Sequence, residues 1–70
     1  MNILITGGSG FIGSNIFHKL KKNHKIFIYD KLKPHFNAKL IKGDLNQKKK
    51  LRLILKKNNI NCIIHLAAAL

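Results

Sequence analysis

Apolar and polar positions alternate along this chain with two different periods. Four short runs are mainly apolar, as buried parallel strands are, and they occupy residues 3–6, 25–29, 39–42 and 60–66. Two longer segments, residues 13–22 and 47–58, instead repeat apolar positions at helical spacing, with lysines on the opposite side. The pattern therefore predicts the element order β-α-β-β-α-β.

Each predicted helix has one apolar side that should face a core. These positions are Ile12, Ile16, Phe17 and Leu20 in the first helix and Leu51, Ile54 and Leu55 in the second. Asn23 is placed to cap the C-terminus of the first helix. The second helix carries lysines in its first turn, where the helix dipole disfavours cations.

Length and composition narrow the class of protein. A chain of 70 residues forms one small domain, which buries roughly 60% of the surface of the unfolded chain. The single cysteine, Cys62, excludes an internal disulfide, and no Cys or His spacing suits a metal site. We therefore expect a reducing, cytoplasmic location. No signal-peptide pattern and no membrane-spanning apolar run is present in these 70 residues.

The net charge of +12 raises the question of nucleic-acid binding. The excess comes almost wholly from scattered lysines, and no aromatic residues alternate with them to form a stacking platform. An AT-rich genome is a sufficient cause, because lysine, asparagine and isoleucine all have AT-rich codons. We therefore favour solvated lysine faces and expect neither a nucleic-acid nor a membrane partner. The nucleic-acid alternative predicts binding with a steep salt dependence.

A glycine-rich segment, TGGSGFIG at residues 6–13, joins the first strand to the first helix. Gly7 permits a tight turn, Gly10 lets the backbone approach a pyrophosphate, and Gly13 lets the helix pack closely on the sheet. The N–H groups of Phe11 and Ile12, at the start of the helix, would then point at phosphate oxygens. This segment predicts a phosphate-binding turn, against the simpler alternative of an ordinary glycine-rich turn.

Asp30 follows the second strand, twenty residues after Gly10. A carboxylate at this place can accept hydrogen bonds from the adenosine ribose of NAD, and it repels the 2′-phosphate of NADP. Lys31 and Lys33 lie beside it and would soften that repulsion. The predicted cofactor is NAD, with NADP less favoured, and the alternative for Asp30 is a solvated loop carboxylate.

The elements and the loop together predict an α/β fold of the Rossmann type, with a parallel sheet of strand order 3-2-1-4. The connection at residues 31–38, which contains Pro34, is too short for a crossover helix. Lysines at both ends of the third strand suit a sheet edge. Because the fourth strand lacks a further neighbour, we expect residues 1–70 to be the N-terminal portion of an NAD-binding domain whose remainder and substrate-binding part are absent.

Four sequence features together resemble the extended short-chain dehydrogenase/reductase family, and within it the NAD-dependent nucleotide-sugar epimerases and dehydratases. They are the loop at residues 6–13, Asp30, the triplet at residues 43–45 and the sequence His-Leu-Ala-Ala at residues 65–68. The resemblance implies oxidation and reduction of a sugar carbon through bound NAD. It also implies a nucleotide-sugar substrate, and a homodimer is expected only of the complete protein.

The resemblance assigns further cofactor contacts. It implies that Asp44 and Leu45 hold the adenine, with the Asp44 carboxylate accepting from the exocyclic amine. It also implies that Leu66, Ala67 and Ala68 line the cofactor near its central ribose and nicotinamide side. From the residues alone, Asp44 has a second possible role as N-cap of the second helix, since a glutamine follows three residues later in a capping-box arrangement.

The family's catalytic Tyr-x-x-x-Lys pair is not matched at a suitable place in this chain. Tyr29 and Lys33 have the spacing, but they run from a strand end into a loop, and the spacing serves only on a helix. His65 is expected to be a satisfied core histidine rather than a general base. The chain thus predicts a cofactor half-site without catalytic residues. The two interpretations left open are a segment of an enzyme and a non-catalytic dinucleotide-binding remnant or sensor.

Overall fold

The computed structural model describes residues 1–66, and its elements follow the predicted order. They are β1 (Asn2–Thr6), α1 (Phe11–Leu20), β2 (Lys25–Asp30), β3 (Lys39–Lys42), α2 (Lys48–Lys57) and β4 (Cys62–His65). The prediction of β-α-β-β-α-β is confirmed. The boundaries differ from the predicted ones by at most two residues, because hydrogen bonding rather than hydropathy determines where an element ends.

The four strands form one parallel sheet with the order β3-β2-β1-β4. β1 is central, with Ile3 opposite Ile26 of β2 and opposite Cys62 of β4. The predicted Rossmann-type order 3-2-1-4 is therefore confirmed. Since all strands run in one direction, the segments that follow them gather at one edge, which we call the carboxyl edge.

The core has two halves because side chains alternate across the sheet. On the α1 side the buried residues are Ile3, Ile5, Phe17, Ile26 and Ile28, and on the α2 side they are Leu4, Phe27, Tyr29 and Ile54. Leu51 and Leu55 pack against the second set, as their helical spacing predicted. β1 and β2 are apolar on both faces because both faces are covered.

The start and end of α1 correct two predictions. Ile12 is not a core residue: it is 64% exposed, and the buried residues of α1 are Gly13 and Phe17. Asn23 is not the C-cap. Lys21 takes that position and donates its N–H to the carbonyl of Phe17 at 2.9 Å, and Asn23 lies in the turn that follows.

The connection between β2 and β3 contains no helix, as its length predicted. Pro34 is buried, and the ring of Phe36 lies 4.9 Å from that of Phe17, measured between centroids. Irregular chain therefore covers this part of the sheet in place of a helix. Within residues 1–66, neither helix is long and apolar enough to cross a membrane.

Within the described residues, β4 pairs with β1 alone. Its side chains alternate, so that Cys62 and Ile64 are half-buried against the core while Ile63 is 51% exposed. Cys62 is a free cysteine that packs on the core and is only partly covered.

Candidate functional site

The glycine-rich loop leaves β1 through a turn that glycine favours. Gly7 has a φ of 69°, in the left-handed region that residues with a Cβ avoid. Its N–H donates to the carbonyl of Tyr29 at 2.9 Å, which ties the loop to the end of β2. The chain therefore turns at the carboxyl edge of the sheet before it enters α1.

The N-terminus of α1 offers hydrogen-bond donors to an open space. Ser14 donates the first helical hydrogen bond, to the carbonyl of Gly10 at 2.9 Å. The N–H groups of Phe11, Ile12 and Gly13 precede it and have no acceptor within the helix. Gly10 is the N-cap and provides no side-chain cap, and a Cβ placed on it would meet no atom of residues 1–66 within 4 Å. Free amides and the helix dipole together favour an anion here.

Two other glycines permit close packing, and one of them differs from the prediction. A Cβ on Gly13 would lie 2.6 Å from Cα of Gly8, so at this position α1 contacts the loop backbone, whereas Phe17 packs on the sheet. Gly8, which sequence reasoning missed, is the glycine that packs on the sheet. A Cβ there would lie 2.8 Å from Cγ2 of Ile5 and 2.9 Å from Cδ1 of Ile28. The glycine doublet at residues 7–8 was the available signal.

Asp30 connects the glycine-rich loop to the segment after β2. Its Oδ2 accepts from the N–H of Ser9 at 3.2 Å, and its Oδ1 accepts from the N–H of Leu32 at 3.2 Å. The Ser9 hydroxyl donates to the carbonyl of Leu32 at 2.6 Å. Asp30 is therefore a half-buried and fixed carboxylate rather than a freely solvated one. Each carboxylate oxygen still has an acceptor site for a ligand.

A cavity of about 660 Å³ lies between α1 and the segment after β2. Gly10, Ser14, Asp30 and Lys33 are among its lining residues, so the open helix start and the fixed carboxylate face the same space. Sequence reasoning missed Ser9 and Ser14, because small polar residues in loops and first helical turns carry no specific signal. His18 and His35 are exposed and also line this cavity.

The turn after β3 holds Asp44 in a second network. Its Oδ1 accepts from the N–H of Asn46 at 3.0 Å, and its Oδ2 lies 3.0 Å from Nζ of Lys31. The Asn46 N–H, followed by the Lys31 ammonium, holds the pKa of this carboxyl below its usual range. Asp44 borders a cavity of about 630 Å³ that Lys31, Lys42 and Lys50 also line. This second cavity thus pairs a carboxylate with several cations.

The predicted N-cap role of Asp44 is wrong. Gln47 is the N-cap of α2, and it provides no side-chain cap. Asp44 and Gln47 instead close a turn before the helix: the Asp44 N–H donates to Oε1 of Gln47 at 2.9 Å, and the Gln47 N–H donates to the Asp44 carbonyl at 3.0 Å. The carboxylate of Asp44 therefore stays at the turn, available to the second cavity. Leu45 is half-buried and packs against the core on the α2 side.

Tyr29 has a structural role. Its side chain is 1% exposed, and its hydroxyl donates to the carbonyl of Asp44 at 2.7 Å. Burial, and then the nearby charge of Asp44, raises the pKa of this phenol. Gly43 makes the contact possible, because a Cβ there would lie 2.6 Å from Cζ of Tyr29. Tyr29 is a buried strand residue, and it does not share a helix face with Lys33.

The end of β4 lies beside the start of the glycine-rich loop. His65 was expected in the core, but it is exposed because it shares the outward alternation of β4. Its Nδ1 is hydrogen-bonded to Oγ1 of Thr6 at 2.6 Å. The Leu66 N–H donates to the Thr6 carbonyl at 2.9 Å. Ala67 and Ala68, the other predicted contacts of this segment, lie outside the described residues.

The carboxyl edge therefore gathers most of the predicted site residues. The free amides of Phe11 and Ile12 suit a diphosphate, and the Asp30 carboxylate suits a sugar diol. The Asp44 carboxylate, beyond the end of β3, suits an amino group. Within residues 1–66, no group of three His, Cys, Asp or Glu side chains is arranged to hold a metal ion.

Known proteins share this sequence and this arrangement. A dTDP-D-glucose 4,6-dehydratase of Dictyostelium discoideum is 40% identical, in an alignment covering 94% of this chain and 19% of that protein. The chain thus spans about a fifth of the length of this relative. The structure of a dTDP-glucose 4,6-dehydratase from Bacillus anthracis in complex with NAD superposes with a TM-score of 0.84 and 32% identity, covering 99% of this chain and 27% of the other.

A second solved structure comes from the epimerases. UDP-glucose 4-epimerase from Thermotoga maritima, with UDP-glucose, superposes with a TM-score of 0.82 and 31% identity, covering 97% of this chain and 24% of the other. A sequence profile of the NAD dependent epimerase/dehydratase family matches residues 3–70, almost the whole chain. Sequence, strand order and carboxyl-edge geometry agree, and the chain belongs to the NAD-dependent epimerase/dehydratase family.

Proposed function

We propose that this chain binds NAD at its carboxyl edge and forms the cofactor-holding part of an enzyme that epimerises or dehydrates a nucleotide sugar. The proposal depends on one observation. Gly10 and Phe11 at the start of α1 and the Asp30 carboxylate line one cavity, and the Ser9 N–H ties that carboxylate to the glycine-rich loop. Solved relatives described as complexes with NAD and with UDP-glucose support it.

The diphosphate of NAD suits the N-terminus of α1. The N–H groups of Phe11 and Ile12 have no acceptor within α1, and the space that the described residues leave in front of Gly10 admits phosphate oxygens. No acidic residue lies in the first turn of α1 to repel them. Binding here depends on backbone donors, so side-chain substitutions at Phe11 or Ile12 would disturb it less than a substitution at Gly10.

The adenosine ribose suits Asp30, and this contact favours NAD over NADP. Hydrogen bonds from a hydroxyl to a carboxylate are worth about 1.5–3 kcal/mol, whereas a 2′-phosphate would meet like charge. Lys31 and Lys33 lessen that repulsion without removing the carboxylate. We assign the adenine to Asp44 and Leu45, and the nicotinamide side to Leu66, Ala67 and Ala68.

The chemical contribution of these residues is binding and orientation. NAD, when bound, accepts a hydride from a sugar carbon and returns it. The described residues near the free amides include no tyrosine and lysine pair on a helix, since Tyr29 is buried in β2. We assign acid–base catalysis to other parts of the complete protein and propose that residues 1–70 are the N-terminal portion of its NAD-binding domain.

A second candidate is a dinucleotide-binding remnant or sensor without catalysis, because the one tyrosine in these 70 residues, Tyr29, is buried in β2. Both candidates bind NAD at the same site, and they differ in whether the complete polypeptide turns over a nucleotide sugar. Incubating that polypeptide with NAD and a UDP- or dTDP-hexose separates them. We place the protein in the cytoplasm because of its single cysteine.

The experiment that tests the proposal is the substitution Gly10→Val. A branched side chain would fill the open space before the amides, so we expect NAD affinity, measured by calorimetry, to fall at least about tenfold, or ~1.4 kcal/mol. Circular dichroism should show unchanged folding, because a Cβ at Gly10 meets no atom of the described residues within 4 Å. Retained NAD affinity in this variant would refute the assignment of the loop.

A further inference from the structure

Lys31 makes an ion pair across the second cavity. Its Nζ lies 3.0 Å from Oδ2 of Asp44, and the two side chains are 69% and 35% exposed. The pair joins the residue after Asp30 to the turn between β3 and α2. The other carboxylate oxygen, Oδ1, accepts from the N–H of Asn46. Both oxygens of Asp44 therefore have a donor in the free protein.

The turn that carries Asp44 does not depend on this ion pair. The Asp44 N–H donates to the Gln47 side chain, its carbonyl accepts from the Tyr29 hydroxyl, and its Oδ1 accepts from the Asn46 N–H. None of these bonds uses Oδ2. Lys31 can therefore leave the carboxylate without altering the position of Asp44.

We propose that Lys31 is a specificity-determining residue of the adenine subsite, because its ammonium occupies the carboxylate oxygen that the amino group of adenine needs. The inference rests on the proposed function, in which Asp44 receives that amine. An ammonium is the stronger donor to a carboxylate, but an exposed ion pair is stabilised only weakly. The two donors therefore compete on nearly equal terms, and Lys31 lowers the affinity for adenine.

The same residue reduces discrimination between purine bases. Hypoxanthine carries a carbonyl where adenine carries the amine, so it presents an acceptor to the carboxylate. With Lys31 present, the ammonium lies between two acceptors and donates to the carbonyl. Without Lys31, the carboxylate faces the carbonyl directly, and hypoxanthine is repelled while adenine is bound better.

The test compares wild type, Lys31→Met and the charge-matched control Lys22→Met, which changes an exposed lysine in the turn after α1. Affinities for NAD, nicotinamide hypoxanthine dinucleotide and nicotinamide mononucleotide are measured by calorimetry. In Lys31→Met we expect NAD to bind up to about fivefold more tightly, which corresponds to ~1 kcal/mol, and the hypoxanthine analogue to bind more weakly. The mononucleotide, which lacks a purine, should be unaffected. Lys22→Met should keep the wild-type ratio.

Different results would overturn the role of Lys31 and the proposed NAD binding. An unchanged NAD-to-hypoxanthine ratio in Lys31→Met, or a loss of affinity for both dinucleotides, would overturn the role of Lys31 while Gly10-dependent NAD binding stands. If Gly10→Val binds NAD as tightly as wild type does, the proposed function itself is overturned. Lys31→Gln removes the charge with a shorter polar side chain, so it should show the same affinity ratio of NAD to the hypoxanthine analogue as Lys31→Met. High salt should bring the wild-type ratio closer to the ratio of both variants.

Discussion

At the scale of single residues, the acidic side chains are few and well placed. The chain has 14 lysine and arginine residues and two acidic residues. Both acidic residues, Asp30 and Asp44, lie in segments at the carboxyl edge, and backbone N–H groups hold both. Asp30 lines the cavity at the start of α1, and Asp44 borders the second cavity beyond β3, so the two acceptors lie where a nucleotide would offer hydroxyl and amino donors.

Sequence spacing placed Asp30 correctly, but its partners could not be predicted. The Ser9–Asp30 bond joins residues that are distant in sequence, and only the close approach of two loops at the carboxyl edge creates it. The N-cap assignment of Asp44 failed because a four-residue turn has the same sequence signature as a capping box. His65 was misplaced because the alternation of an edge strand decides which of its side chains are exposed.

The ribose contact predicts a change in cofactor preference. In Asp30→Ser we expect the ratio of NAD to NADP affinity to fall by about tenfold or more, because a charge-assisted hydrogen bond worth about 1.5–3 kcal/mol is lost and the repulsion of the 2′-phosphate disappears. Asp30→Asn, which keeps the shape and removes the charge, should improve NADP binding similarly. Calorimetry with both dinucleotides measures the ratio. An unchanged ratio would remove Asp30 from this role.

The lowered pKa of Asp44 predicts an acid-sensitive contribution to stability. A carboxyl group with a lowered pKa in the folded state stabilises the fold above its unfolded pKa, about 3.9, and loses that effect as the pH falls through the folded value. Asp44→Asn should therefore melt below wild type at pH 6, and the two melting temperatures should approach each other as the pH falls below about 4 and through the folded pKa. A difference that does not shrink as the pH falls below about 4 would contradict the assignment.

At the scale of elements, the apolar pattern predicted every strand and helix but not every boundary. Ile60 and Leu66 are apolar because they pack against the core, and both lie outside the paired residues of β4. Phe11 and Ile12 are apolar yet exposed at the start of α1. The hydropathy pattern indicates burial and not hydrogen bonding. The predicted β4 was therefore too long, and the predicted start of α1 was too late.

The contact between α1 and the glycine-rich loop predicts different effects at two glycines. Gly13→Ala should destabilise the protein by about 1–3 kcal/mol, as overpacking does, since its Cβ would lie 2.6 Å from Cα of Gly8. Gly10→Ala is the matched control, because its Cβ enters open space. Urea denaturation gives both free energies of unfolding. Equal stability of the two variants would show that α1 does not pack on the loop as described.

At the scale of the whole molecule, the covered sheet stabilises the fold and the net charge destabilises it. The parallel sheet is covered on both faces at β1 and β2. Against this, the net charge is +12 and Ile63 is exposed on an edge strand of the described residues. Self-repulsion among lysines destabilises the compact state. The strand order could be predicted from the sequence because the connections permit few topologies. The stability could not, because it is a difference between core burial and charge repulsion that the sequence pattern does not give.

The charge predicts that salt stabilises the isolated chain. Thermal unfolding at low ionic strength should be broad, and it should sharpen and move to higher temperature as salt screens the lysines, since the Debye length falls from about 30 Å at 0.01 M to about 10 Å at 0.1 M. Circular dichroism at a series of salt concentrations measures this. A sharp cooperative transition that is independent of salt would contradict the expectation.

The most direct measurement is a crystal structure of the chain grown with NAD. We expect the diphosphate to lie within hydrogen-bonding distance, about 2.7–3.2 Å, of the N–H groups of Phe11 and Ile12, and a ribose hydroxyl to lie on the carboxylate of Asp30. Density for the coenzyme elsewhere on the molecule, or amides of Phe11 and Ile12 bonded to the protein's own acceptors, would contradict it.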